Sequence, residues 1–161
     1  MENEIKKKNG YKLMIKDYLE EVNSFSLKKI GELDLIDLRQ TDEIMNKFSK
    51  VPDFPFYQVK LFFEEKTSEK FSNFLRILYN ANPSNVYLWT ELVEHCGVCV
   101  LDSILDINTR FSFECSNNGL FTITTLDMRD RILFDFYEKS EIRLLDVELF
   151  GTNWSKMRWE I

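Results

Sequence analysis

The strongest constraint in the sequence is a pair of alternating runs near its C-terminal end. Ile132, Phe134 and Phe136 recur at every second position, and so do Leu145, Val147 and Leu149 after the short break Lys139 to Glu141. A period of two places each set on one side of an extended strand, because successive side chains of a strand point to opposite faces. The break falls far short of the dozen or more residues that a parallel return needs, so the two runs form an antiparallel hairpin. Two further strand-like runs precede them, Arg110 to Cys115 and Leu120 to Leu126, separated by Ser116 to Gly119 and by Asp127 to Asp130. The expectation is a meander of four antiparallel strands. On the faces opposite the apolar sets lie Asp135 and Tyr137 in one strand and Asp146 and Glu148 in the next. A sheet with one side against helices and one wet side has this pattern.

Helical periodicity supplies the other layer. Tyr11, Met14, Ile15, Tyr18, Leu19 and Val22 line one stripe and predict an amphipathic helix from about Tyr11 to Val22. Asn23 to Gln40 permits a short strand or an extended segment. Thr41 is a candidate N-cap for a short helix with Asp42 and Glu43 in its first turn and Ile44, Met45 and Phe48 on its apolar side. Pro52 and Pro55 disfavour helix in the residues before them, so the chain from Val51 to Pro55 is extended. Phe56 to Phe63 reads as a strand, and Thr67 or Ser68 caps a second strong helix with the stripe Phe71, Phe74, Leu75 and Leu78. Pro83 ends it. Val86 to Thr90 reads as a strand, whereas Glu91 to Ile107 fits either a helix or a buried strand at Val98 to Leu101. Neither repeats nor a linker divide the 161 residues, and a length in this range suits one domain with a core large enough to hold itself. The fold class expected is α+β: a mainly antiparallel sheet packed against two or three helices.

Charge narrows the function. The net charge is -6, and from Glu91 to Glu148 five basic residues face twelve acidic ones. Such a field repels phosphate backbones, since nucleic-acid affinity comes largely from Lys and Arg neutralising phosphates. Direct nucleic-acid binding is disfavoured, and docking of a basic protein is favoured. No apolar run approaches the ~18 residues of a membrane helix, and Lys6, Lys7 and Lys8 lead into Asn9 and Gly10 where a signal peptide would be apolar. A cytoplasmic protein without membrane partners is expected, in keeping with three thiols suited to a reducing compartment.

Motifs for chemistry are sparse. Cys96 and Cys99 share the spacing of redox pairs and zinc half-sites, but only Cys115 and the adjacent His95 are available to complete four ligands, and Glu91 and Glu94 oppose thiolate formation. Buried small apolar cysteines are the simpler reading. His95 is the lone histidine, with no evident orienting partner for nucleophilic catalysis. Asp135, Asp146 and Glu148 are the residues that a small Mg²⁺-dependent enzyme would use, yet Leu149 and Phe150 follow Glu148 where a restriction-type nuclease would place a Lys. Asp102 and Asp106 read as surface residues rather than a metal pair. Trp154 and Trp159, in the polar tail after Gly151, either cap the core or form an aromatic anchor for a partner.

From Val86 to Trp154 the chain carries Val86-Tyr87-Leu88-Trp89, Phe111-Ser112-Phe113, Gly119-Leu120-Phe121-Thr122, Ile132-Leu133-Phe134-Asp135-Phe136-Tyr137 and Leu145-Asp146-Val147-Glu148-Leu149-Phe150-Gly151, ending in Trp154. This order resembles small bacterial immunity proteins of polymorphic-toxin and contact-dependent growth inhibition systems. The resemblance implies a cytosolic protein that binds and blocks a cognate toxin domain, often a nuclease. It carries over no site residue. Joined to the charge argument, it leads to the expectation of a non-catalytic inhibitor without metal or cofactor, contacting a basic toxin C-terminal domain through Asp135, Tyr137, Asp146 and Glu148. The alternatives are a small Mg²⁺-dependent carboxylate enzyme and an adaptor subunit.

Overall fold

The computed structural model describes residues 2–53 and 55–160, with side chains from Lys8 onward. Six strands form one antiparallel sheet: β1 (Phe56–Phe62), β2 (Val86–Trp89), β3 (Cys99–Leu101), β4 (Leu120–Thr125), β5 (Asp130–Lys139) and β6 (Ile142–Gly151), in the order β1-β6-β5-β4-β2-β3. The long hairpin read from the alternation is its centre, with Asp130 opposite Gly151 and Lys139 opposite Ile142. Ser140 and Glu141 close it at φ of 52° and 66°, the left-handed backbone that a two-residue type I′ loop demands.

One face of the sheet is the core. Ile132, Phe134, Phe136, Leu145, Val147 and Leu149 are all buried there, as their period of two requires. Helix α1 (Glu2–Phe25) extends beyond the expected Tyr11 to Val22 at both ends and buries Tyr18, Val22 and Phe25. Asn23, in its last turn, clasps Ile30 beyond its end: its Nδ2 donates to Ile30 O at 2.8 Å and its Oδ1 accepts from Ile30 N at 2.7 Å. Helix α3 (Glu69–Ala81) starts at Ser68, whose hydroxyl accepts from Phe71 N, and buries the four residues of its predicted stripe. The ambiguous stretch after β2 contains both alternatives in miniature, a single turn α4 (Val93–Cys96) followed by β3.

Helix α2 (Leu38–Phe48) lies across the other face of the sheet at its β2 end, where the Phe48 and Trp89 rings meet at 4.7 Å. Its start corrects the expected cap. Asp37, not Thr41, is the N-cap and accepts from Gln40 N at 2.8 Å. Thr41 is a turn further on and fully buried, where its hydroxyl donates to Ile36 O and accepts from Val98 N, tying the helix to the chain before β3. Both residues satisfy the rule that caps favour short polar side chains; the one already outside the helix wins.

The expected strand Arg110 to Cys115 is also corrected: this segment is irregular, and the meander has three strands. Strand β2 already occupies the edge of β4 that a preceding meander strand would take. The alternating Phe111 and Phe113 serve as plugs. Phe111 meets Phe25, Phe121 and Phe136 at 5.2, 5.4 and 5.2 Å, and Phe113 meets Phe63 at 5.3 Å. Side-chain burial set the pattern here without a ladder.

Candidate functional site

The four residues singled out from the alternation share the sheet face opposite the core. Asp135 stands directly opposite Asp146, Leu133 opposite Glu148, and Tyr137 opposite Leu144. On the outer side of β6, Lys60 is opposite Asp146 and Gln58 opposite Glu148. The period of two therefore brings three carboxylates onto neighbouring positions of two central strands. All three are half-buried rather than fully wet.

Their internal partners are few. The Tyr137 hydroxyl donates to both oxygens of Asp146, at 3.2 and 3.1 Å, and the exposed Lys60 ammonium is 4.0 Å from it. Lys60 is in turn held protonated by the Tyr137 hydroxyl and by Asp146. The two arginines nearest in sequence are engaged elsewhere. Arg131 binds Asp53 at 3.2 Å and lies over the Phe150 ring, and Arg143 binds Glu114 at 3.0 Å and lies over the Phe113 ring. Among the described residues, Asp135 and Glu148 have neither a hydrogen-bond donor nor an ion-pair partner. Burial, and then the charge of Asp146, pushes the carboxyl of Asp135 up. Burial pushes Glu148 up as well, followed by Asp146 and Asp135, against a smaller opposing pull from Arg131.

Like charges directly opposite in a sheet are destabilising by roughly 0.2–1 kcal/mol per pair. Two raised carboxyls hold protons longer in the folded chain than in the unfolded one, so stability falls as pH rises from the ordinary carboxylate range through their raised values. The variant D135N/E148Q is accordingly expected to be more stable than the parent at pH 7, by about 0.2–1 kcal/mol, and the difference is expected to vanish near pH 4. Denaturant titrations across pH 4 to 7 check this; a variant less stable at pH 7 contradicts it.

Apolar groups flank the acids. Phe62 and Ile142 are exposed at the same end of the sheet, while Leu133, Leu144 and Phe150 are half-buried on the face itself. The face therefore presents charge and apolar area side by side.

The other sequence candidates separate cleanly. Cys96 and Cys99 are buried free thiols pushed up by burial to about 11 and about 12, which disfavours the thiolate form. The His95 ring rests against Gly10. Asp102 pairs with Lys28, and Asp106 accepts from Asp102 N at 3.1 Å. Trp154 is fully buried and donates to Leu78 O at 2.9 Å, whereas Trp159 is half-buried against Phe71 and Phe74. Both serve the core. Among the described residues, no three His, Cys, Asp or Glu side chains are grouped to hold a metal ion, and no helix is long and apolar enough to cross a membrane.

Compared with models of known protein families, with curated proteins and with solved structures, the chain matches none.

Proposed function

We propose that this protein is a cytoplasmic, non-catalytic inhibitor that binds a basic toxin domain through the carboxylate-bearing face of its sheet. One observation carries the reading: Asp135 and Glu148 are half-buried acids crowded against Asp146 and, among the described residues, without an ion-pair partner, Arg131 exerting only a smaller pull on Glu148 while it is bonded to Asp53. A fold that holds unpaired acids together forgoes stability, and a cationic partner would return it. The surrounding Phe62, Ile142, Leu144 and Phe150 supply apolar area beside the charge, which a protein partner uses and a free ion does not. The toxin class comes from the likeness of the Val86 to Trp154 segment to immunity proteins. For a nuclease toxin, carboxylates on neighbouring strands would occupy the basic groove in place of phosphates.

The test is co-expression with the polypeptide encoded immediately upstream. Under this reading the two co-purify and the toxin's activity is suppressed, and D146K/E148K loses both effects while keeping its fold. Suppression unchanged in that variant assigns the inhibition to another surface.

A further inference from the structure

On the helical side of the molecule, remote in sequence from the four predicted residues, lies a cleft of about 580 Å³ between α1, the turn after β2 and the loop that precedes β4. Asp17, Glu20 and Glu21 enter it from α1, Glu91 from the turn and Glu114 from the loop; none of the residues lining it is basic. Glu21 differs from the others. It is only 8% exposed, and its Oε1 has no hydrogen-bond partner among the described residues. Burial pushes its carboxyl up, and the Thr90 and Ser116 hydroxyls beside it pull the other way without closing a hydrogen bond to Oε1. Leaving a buried carboxylate oxygen unpaired costs free energy that a donor arriving from outside would offset.

The cations nearby do not meet this need. Lys66, at 4% exposure, has its ammonium over the rings of Phe63 and Phe111 at 4.1 and 4.7 Å and forms no ion pair with Glu21. Arg143 stops at the rim on Glu114. We propose that this cleft binds a guanidinium group, the side chain of an arginine presented by the protein partner. A planar fork of five donors matches a deep carboxylate with further carboxylates around it, whereas a metal ion needs three ligands converging on one point, which the described residues do not provide. Met14 and Leu92 line the cleft as well and give the arginine stem an apolar wall. The source of the arginine rests on the proposed function; the site itself does not.

The experiment uses the protein alone, so its failure leaves the sheet-face reading standing, and failure of that reading leaves this result standing. N-acetyl-arginine-methylamide is titrated into labelled protein and followed by amide chemical shifts, with the isosteric neutral citrulline compound as control. Saturable shifts at Glu21, Glu91 and Cys115, weakened at least tenfold in Glu21→Gln and in the rim variant D17N/E91Q, support the site. Glu21→Gln is also expected to melt higher than the parent without the probe, since it removes an unpaired charge; a structural role for Glu21 predicts the reverse. Equal shifts with the citrulline compound, no saturation, or saturation of the same amides by Mg²⁺ or Ca²⁺ overturns the proposal.

Discussion

Replacing Asp130 with alanine is expected to lower stability by about 3–5 kcal/mol, with the melting temperature down by roughly 10 °C. Asp130 is fully buried at the first position of β5 and accepts four hydrogen bonds: from Asn153 N and Trp154 N at 2.8 Å each, from Asn153 Nδ2 at 2.9 Å and from Asn82 Nδ2 at 2.7 Å. One carboxylate thereby fastens the C-terminal segment and the end of α3 to the hairpin. Alanine leaves the buried Trp154 N–H and the partly buried Asn153 N–H without acceptors, at about 1–3 kcal/mol for a fully buried group. The backbone is equally committed here. Gly151, opposite Asp130, has a φ of 104°, and a Cβ there would lie 1.9 Å from Arg129 O. Asp130→Asn is expected to fall between parent and alanine, because it retains one acceptor oxygen and turns an NH₂ toward donors. Thermal and denaturant unfolding of the three proteins measure the series; an alanine variant within 1 kcal/mol of the parent would show that the network is dispensable.

Phe25→Ala is expected to cost about 3–5 kcal/mol, the range for removing a large buried aromatic side chain. Phe25 is fully buried at the end of α1, stacked on Phe121 at 3.9 Å and edge-on to Phe111 at 5.2 Å. Through Phe111 it backs the irregular loop that carries Glu114 and Cys115. The loss is therefore expected to be uneven, with amides of the loop from Phe111 to Asn118 exchanging faster than those of β5 and β6. Phe25→Leu preserves most of the volume and is expected to lose less than half as much. Hydrogen exchange read segment by segment separates this local loosening from a uniform loss.

The reach of sequence reasoning follows the range of the interactions involved. Ile132 to Phe136 and Leu145 to Leu149 expose their pairing because strand period and turn length are both local, and the same alternation placed Asp135, Tyr137, Asp146 and Glu148 on one face. The stripe from Phe71 to Leu78, with Ser68 before it, was equally legible. The partnerships of β1 with β6 and of β2 with β4 were not, since pairing between distant segments leaves no local period. Arg110 to Cys115 misled because Phe111 and Phe113 alternate for burial in an aromatic cluster without joining a ladder. Glu21 left a trace that went unused: it stands three residues after Tyr18 and four before Phe25, inside the buried stripe of α1, where a carboxylate is out of place. What covers it, the Thr90 turn and the Cys115 loop, comes from chain segments far away.

The electrostatic docking proposed for the sheet face is measured most directly by stopped-flow association with the toxin domain proposed as its partner, compared between parent and D146K/E148K over a range of salt. The predicted result is a parent association rate at low salt about 10–100 times that of the variant, with the gap closing as salt is raised. Equal rates and equal salt slopes for two folded proteins would contradict it.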